Sequence, residues 1–143
     1  MTIARYENFG ALDPFFEVVM EGLRGLVDGD HFFETIAGDA VFEFRYRFPG
    51  WPVTIQGRAN LIDSFSGYGK TIKLHFGDAL VVHRSQDNRV IILEYEVHGT
   101  ILSTGAAYDN RFISVVTIEK RKIAHWRDYM DSLAAWNALN GVA

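Results

Sequence analysis

Apolar residues along the chain begin at helical spacing and take a period of two from Ala40, so a helical start precedes a mostly strand-rich remainder. After Asp13-Pro14, in "FFEVVMEGLRGLVDGD", Phe15, Val19, Leu23 and Leu26 recur at helical spacing. Pro in the first turn suits a helix start, and the Gly-containing "DGD" stops the run. "HFFETIA" predicts a second short helix that ends at Gly38. From Ala40 the period becomes two. In "AVFEFRYRF", Phe42, Phe44, Tyr46 and Phe48 alternate with Val41, Glu43, Arg45 and Arg47, which predicts a strand with one aromatic face. "PGWP" interrupts it, "VTIQG" reads as extended, and "RANLIDSFSGYG" reads as a helix that closes in glycine. Three β-rich runs follow: "TIKLHFGDALVVHR", "RVIILEYEVHGTIL" and "NRFISVVTIEKRKIAHWRDYM", the last folding as two strands about "EKRK". "SLAAWNAL" reads as a short helical tail.

Helices first and strands afterwards predict an α+β domain, with helices packed on a strongly curved, mostly antiparallel sheet that encloses a pocket. The 143 residues, 48% hydrophobic, supply one good core, so residues 1–143 are expected to form a single domain. A net charge of −4 offers no basic surface for nucleic acid or anionic lipid. No cysteine is present, which excludes disulfides and thiolate chemistry and fits a cytoplasmic protein. The N-terminal "MTIARYENFG" lacks the apolar core of a signal peptide, and no apolar run approaches the roughly 20 residues that span a bilayer. Neither nucleic acid nor membrane is an expected partner.

Near the end, "HWRDYMD" places two carboxylates among aromatic residues. Strand parity groups Ala124, Trp126, Asp128 and Met130 on one face and His125, Arg127, Tyr129 and Asp131 on the other. The first set is the more apolar and is expected inside. A carboxyl held there has its charged form disfavoured, so its pKa rises toward the range of a general acid or base at neutral pH. The bland alternative for Asp128 is a strand-end carboxylate that caps a turn or pairs with Arg.

The element order, with "GDAVFEF", the step from Gly57-Arg58 into a helix, "YDNRFISVVTI" and the closing "WRDYMD", resembles the SnoaL-like branch of the nuclear-transport-factor-2-like (NTF2-like) superfamily. The similarity runs from about Leu12 onward. Its members include polyketide cyclases, phenazine-biosynthesis A/B proteins and, more distantly, limonene-1,2-epoxide hydrolase and ketosteroid isomerase. The resemblance implies a cone-shaped fold with a deep apolar pocket, and it makes Asp128, the acid of the W-R-acid-aromatic motif, the residue that exchanges a proton. Epoxide hydrolysis fits less well: Phe42 and Phe44 stand where those enzymes carry a water-positioning Tyr and Asn, and "LEYEV" lacks their Arg.

The remaining candidates follow from parity and residue chemistry. Phe44 and Tyr46 from the aromatic strand, Tyr95 from "ILEYEVHG", and Trp126 and Met130 are expected to bind substrate, with His75 as a further pocket residue. Parity sends Glu94 and His98 outward, while the resemblance to phenazine-biosynthesis proteins, which carry a similar acid-x-acid-x-His pattern, leaves a role for them open. The five His residues include no helical pair at zincin spacing, and "HFGD" alone does not make a metal site. No metal and no cofactor is expected. Arg111, Ile113 and Val115 beside Arg127 and Tyr129 suggest a homodimer through the outer sheet face, like those of the family. Two functional readings remain. One is a cofactor-independent enzyme of cyclase or isomerase type, acting on a small apolar carbonyl or cyclic compound with Asp128 moving the proton. The other is a non-catalytic binding or dimerising module with the same pocket.

Overall fold

The computed structural model describes residues 4–141, so the signal-peptide reading lies in part, at residues 1–3, outside the described residues. The helix expected at Asp13-Pro14 is α1 (Asp13–Gly22), preceded by a 3-10 stretch, Ala4–Leu12, that the apolar pattern does not announce. α1 stops well short of "DGD". Gly25 turns the chain at a φ of +81°, and Leu23, already outside the helix, is still fully buried. The second expected helix is a single 3-10 turn, Phe32–Thr35, closed by His31 Nδ1 accepting from the Phe33 N–H at 3.1 Å and by the Thr35 hydroxyl donating to the Phe32 carbonyl at 2.6 Å. The β-branched Thr35-Ile36 pair then favours extended backbone. Consequently β1 (Ile36–Phe44) begins before Gly38 and contains it.

The rest of the chain supplies β2 (Thr54–Gln56), α2 (Arg58–Tyr68), β3 (Ile72–Arg84), β4 (Val90–Ile101), β5 (Ala107–Glu119), β6 (Lys122–Met130) and α3 (Ser132–Leu139). The strands form one sheet in the order β2-β1-β6-β5-β4-β3, antiparallel except where β1 meets β6. Three helices packed on a curved, mostly antiparallel sheet make this the α+β fold that the helix-then-strand order predicts. Register shifts in β3 between Leu74 and Phe76 and between Asp78 and Val81 bend that edge strand, as bulges do.

"EKRK" is a two-residue hairpin turn in which Lys120 and Arg121 both take positive φ, 51° and 63°, matching the right-handed twist of the strands it joins. Neither residue is glycine. Neighbouring side-chain bonds hold this hairpin end to the loop after α1: Arg121 Nε donates to Asp28 Oδ1 at 2.8 Å, and Lys122 Nζ donates to the Asp28 and Glu34 carbonyls at 2.7 and 2.8 Å.

The core gathers on the concave face around Trp126. Its ring stacks on Phe42, its Cα partner across β1 and β6, at 5.6 Å and 17°, and meets the edges of Phe32 and Phe15. Burial of each such aromatic stabilises by about 1.5–3 kcal/mol. Two glycines serve close approach: a Cβ on Gly22 would lie 2.6 Å from a Leu93 methyl, and one on Gly99 would lie 2.3 Å from the Lys73 carbonyl oxygen. The second obstacle is backbone and cannot rotate away. Gly99→Ala is therefore expected to lower unfolding free energy in urea titrations by about 2–3 kcal/mol. Gly67→Ala, in α2 where an added Cβ meets nothing, is expected to raise it by about 0.5–1 kcal/mol.

Candidate functional site

The inward residues of β5 and β6 carry the chemistry. Ser114 and Asp128 are Cα partners across the two strands, so register alone brings the hydroxyl to the carboxyl, and Ser114 Oγ donates to Asp128 Oδ1 at 2.7 Å. Two residues earlier on β6, the Trp126 indole N–H donates to the same oxygen at 3.0 Å. Behind Ser114, the Tyr95 hydroxyl lies 2.8 Å from its Oγ. With the Ser114 proton spent on Asp128, Tyr95 is the donor in that bond, which gives a chain Tyr95 to Ser114 to Asp128. The nearby Tyr46 hydroxyl further favours the charged carboxylate.

Asp128 is 6% exposed. Burial lifts its carboxyl from a pKa of 3.8 to about 7, against the opposing pull of the bonds from Ser114 and Trp126 and of the nearby Tyr46 hydroxyl. Burial also raises the Tyr46 phenol well above its usual range, and the nearby Asp128 charge adds to the effect.

The carboxyl opens on a cavity of about 380 Å³, walled largely by apolar side chains: Leu12 and Phe15 at the N-terminal end, Phe65 and Tyr68 of α2, Leu74 and Val97 of the sheet, and Leu139 of α3. The loop after β1 contributes Tyr46, Phe48 and Trp51. Among the described lining residues none is Lys, Arg or His, and Asp128 is the sole carboxylate.

A sequence profile of the SnoaL-like domain matches residues 11–126. The chain belongs to the SnoaL-like domain family. The uncharacterized protein YesE of Bacillus subtilis (strain 168) is 36% identical over 103 residues, which cover 72% of this chain and 70% of that protein. Among solved structures, one named "Putative Isomerase from Bacillus subtilis" is 29% identical with a TM-score of 0.74, covering 98% of this chain and 97% of that one. A second, a "putative polyketide cyclase" from Pseudomonas putida, has a TM-score of 0.66 at 18% identity, covering 95% and 98%, and at that identity shows the NTF2-like fold alone.

Within this SnoaL-like domain the expected site residues divide into three groups. Asp128, Phe44, Tyr46 and Met130 line the cavity. Trp126 and Tyr95 do not. They lie beneath it, 2% exposed each, with Tyr95 stacked on Phe112 at 5.5 Å, and they act on Asp128 through hydrogen bonds. His75 is outside altogether: the inward residue at this point of β3 is Leu74, so the next side chain points to solvent, where its Nε2 lies 2.8 Å from Thr100 Oγ1. β1 ends at Phe44, so Tyr46 and Phe48 reach the cavity from a loop and not from a strand.

Glu94 and His98 face outward, as parity requires. Glu94 pairs with His83 at 2.6 Å. His98 sits between Asp109, 2.7 Å from Nδ1, and Asp78, 2.8 Å from Nε2, with its ring stacked on Phe76. The Asp109 bond, then that of Asp78, holds its pKa above the usual histidine range despite some desolvation. Asp78, Glu96 and His98 bring ligand-type atoms within 4.8 Å of one another. A ring that donates from both nitrogens has no lone pair for a metal.

Ser114, Tyr108 and Asn110 are site residues that parity on β6 alone does not find. The signal was available in "YDNRFISVV", where Tyr108, Asn110, Phe112, Ser114 and Val116 share one face.

The sign of the Asp128 shift sets a pH dependence. The folded state keeps a proton that the unfolded chain releases, so this contribution is fully present below about pH 4 and is lost as pH rises toward and through 7, by up to about 4 kcal/mol. His98, also raised, moves stability in the same direction, so the comparison that isolates Asp128 is wild type against Asp128→Asn. The variant is expected to match wild type in urea melts near pH 4 and to exceed it above about pH 8. An equal slope in both proteins would show that the carboxyl is ionised in the fold at neutral pH.

Proposed function

We propose that this single-domain chain is a cofactor-independent enzyme of the cytoplasm that moves a proton on a small, apolar carbonyl or cyclic compound, with Asp128 as the proton carrier. One observation carries this reading: a buried carboxyl poised near pH 7 that opens on an apolar cavity without a cationic partner. A group whose pKa lies near the working pH serves equally as base and acid, and such catalysis contributes about 10²–10⁴-fold. Ser114 and Trp126 both occupy Oδ1, which leaves Oδ2 to take and return the proton. In that role the ionised carboxylate removes a proton from the carbon beside a carbonyl, and the neutral acid delivers it elsewhere on the same ligand. The names isomerase and polyketide cyclase borne by the solved relatives agree with chemistry of this kind. So does the lack of cysteine with a reducing compartment. Among the described residues no helix is long and apolar enough to cross a membrane.

The outer sheet face supports a second element of the proposal, a homodimer. Ile113 and Tyr129, Cα partners on β5 and β6, are 43% and 39% exposed and adjoin Val81 in one shallow groove. Glu94 and Glu96 of β4, Arg111 opposite Glu96 on β5, and Asp131 border the same groove, so charges of both signs surround the apolar patch that a partner protomer would cover. Sedimentation equilibrium is expected to give a dimer at micromolar concentration and a monomer for Ile113→Glu.

The activity is tested by following deuterium exchange at the α-carbon of cyclic ketones in D₂O by NMR. Wild type is expected to accelerate exchange with a rate that rises through about pH 7, and Asp128→Asn is expected to lose at least about 100-fold. Ketone binding without exchange above buffer, equal in the two proteins, would make the domain a binding module instead.

A further inference from the structure

Beside Asp128 the cavity wall carries a second polar group that the proton-transfer reading leaves unused. Tyr68, near the end of α2, and Tyr108, at the start of β5, both line the cavity, and their hydroxyls are 3.5 Å apart. Asn110 holds the pair from behind. Its Oδ1 is occupied by the Arg111 N–H at 2.8 Å, so its amide nitrogen faces the cavity side and donates to the Tyr108 hydroxyl oxygen at 2.9 Å, with Met130 Sδ at 3.5 Å as its other contact.

Counting protons decides what this arrangement lacks. Tyr108 already accepts from Asn110, so its own proton must be given away. Tyr68 has one proton as well. The two phenols can share one long hydrogen bond between them, which uses one proton and leaves at least one without an acceptor among the described residues. Burial raises both phenols above their ordinary range, so they stay neutral and remain donors. A third donor is unspent on the same wall: the Trp51 indole N–H is buried with no hydrogen-bond partner among the described residues, and its ring meets the edge of Tyr68 at 6.1 Å. Buried donors left unpaired cost about 1–3 kcal/mol each, so a wall with two of them calls for an acceptor.

The acceptor's charge is restricted by the rest of the lining. With no Lys, Arg or His on the wall and a carboxyl that ionises near neutrality, a carboxylate or phosphate would enter without a counter-charge. We propose that the Tyr68–Tyr108 hydroxyl pair, oriented by Asn110, is a subsite for the carbonyl oxygen of an uncharged ligand, distinct from the proton-exchanging group at Asp128. This rests on the cavity being the ligand site, as proposed above, and makes no use of turnover. Asn110 is a positioning residue, and Tyr68 and Tyr108 touch the ligand.

The test uses three probes of one bicyclic skeleton: α-tetralone, its hydrocarbon tetralin, and the anion 2-naphthoate. NMR titrations near pH 6, where Asp128 is mostly protonated, are run on wild type, Tyr68→Phe, Tyr68→Phe/Tyr108→Phe and Asp128→Asn. Wild type is expected to prefer tetralone over tetralin by about 3- to 10-fold and to bind 2-naphthoate more weakly than either. The double variant is expected to reduce the ketone preference to within about 2-fold while tetralin binding is unchanged. Tyr68→Phe, on a half-buried side chain, gives a partial loss and serves if the double variant does not fold. Asp128→Asn is expected to keep the preference even as it loses proton exchange, which separates the two ideas. The subsite is overturned if wild type shows no ketone preference, if the preference survives the tyrosine substitutions, if it vanishes in Asp128→Asn instead, or if 2-naphthoate binds as tightly as tetralone.

Discussion

A carboxyl removed from water must be neutralised, paired with a cation or surrounded by donors, and the fold gives Asp128 donors and partial neutralisation but no cation. The donors are themselves products of packing. Ser114 reaches the carboxyl because β5 and β6 pair in that register, and a slip of either strand by one residue would turn its member of the pair to the outer face. Trp126 reaches it because Phe42, Phe32 and Phe15 clamp the indole with its N–H turned along β6. Hydrogen bonds to a charged group are worth about 1.5–3 kcal/mol each, yet the carboxyl still titrates near 7 and not near 4. Burial therefore outweighs the donors by a margin that leaves the two protonation states nearly equal at neutral pH. A further donor or a nearby Arg would hold the group ionised, and the loss of Ser114 would push it toward the permanently neutral form.

The same sheet keeps its histidines on its other face. His83 pairs with Glu94, His98 with Asp78 and Asp109, and His125 with Glu43 at 2.5 Å. Exposed pairs of this kind contribute little to stability. Their consequence lies in what they keep out of the interior: each histidine sits in β3, β4 or β6 at a position whose parity points away from the cavity. The interior field is thus set by one carboxyl and several neutral phenols.

Much of this was legible in the chain. Alternation in "HWRDYMD" places Asp128 inward without any structure, because the neighbours that share its face are apolar. The helix-then-strand order carries the fold class. Other features were not legible, for reasons that differ. β1 stops at Phe44 although alternation continues to Phe48, because Pro49 and Gly50 turn the chain and no partner strand extends that far. α1 stops at Gly22, just before Gly25 takes positive φ, so the earlier glycines in "EGLRG" and not "DGD" end the helix. His75 was misplaced inward because a lone histidine carries no parity signal until Leu74 is known to face the core. Tyr68 and Tyr108 are 40 residues apart, and only folding brings α2 to the start of β5.

The early end of β1 has a consequence for the site itself. The residue after Phe44, Arg45, donates its backbone N–H to the Asp128 carbonyl at 2.8 Å, so the loop that carries Tyr46, Phe48 and Trp51 over the cavity is anchored on the main chain of Asp128. From that anchor the loop brings the Tyr46 hydroxyl near the Asp128 side chain, and Phe48 meets the edge of Trp136 in α3 at 6.2 Å. Roof and carboxyl are therefore joined at one residue through the backbone. That bond is indifferent to protonation of the side chain, so the loop stays in place across the change of charge that the carboxyl undergoes near neutral pH.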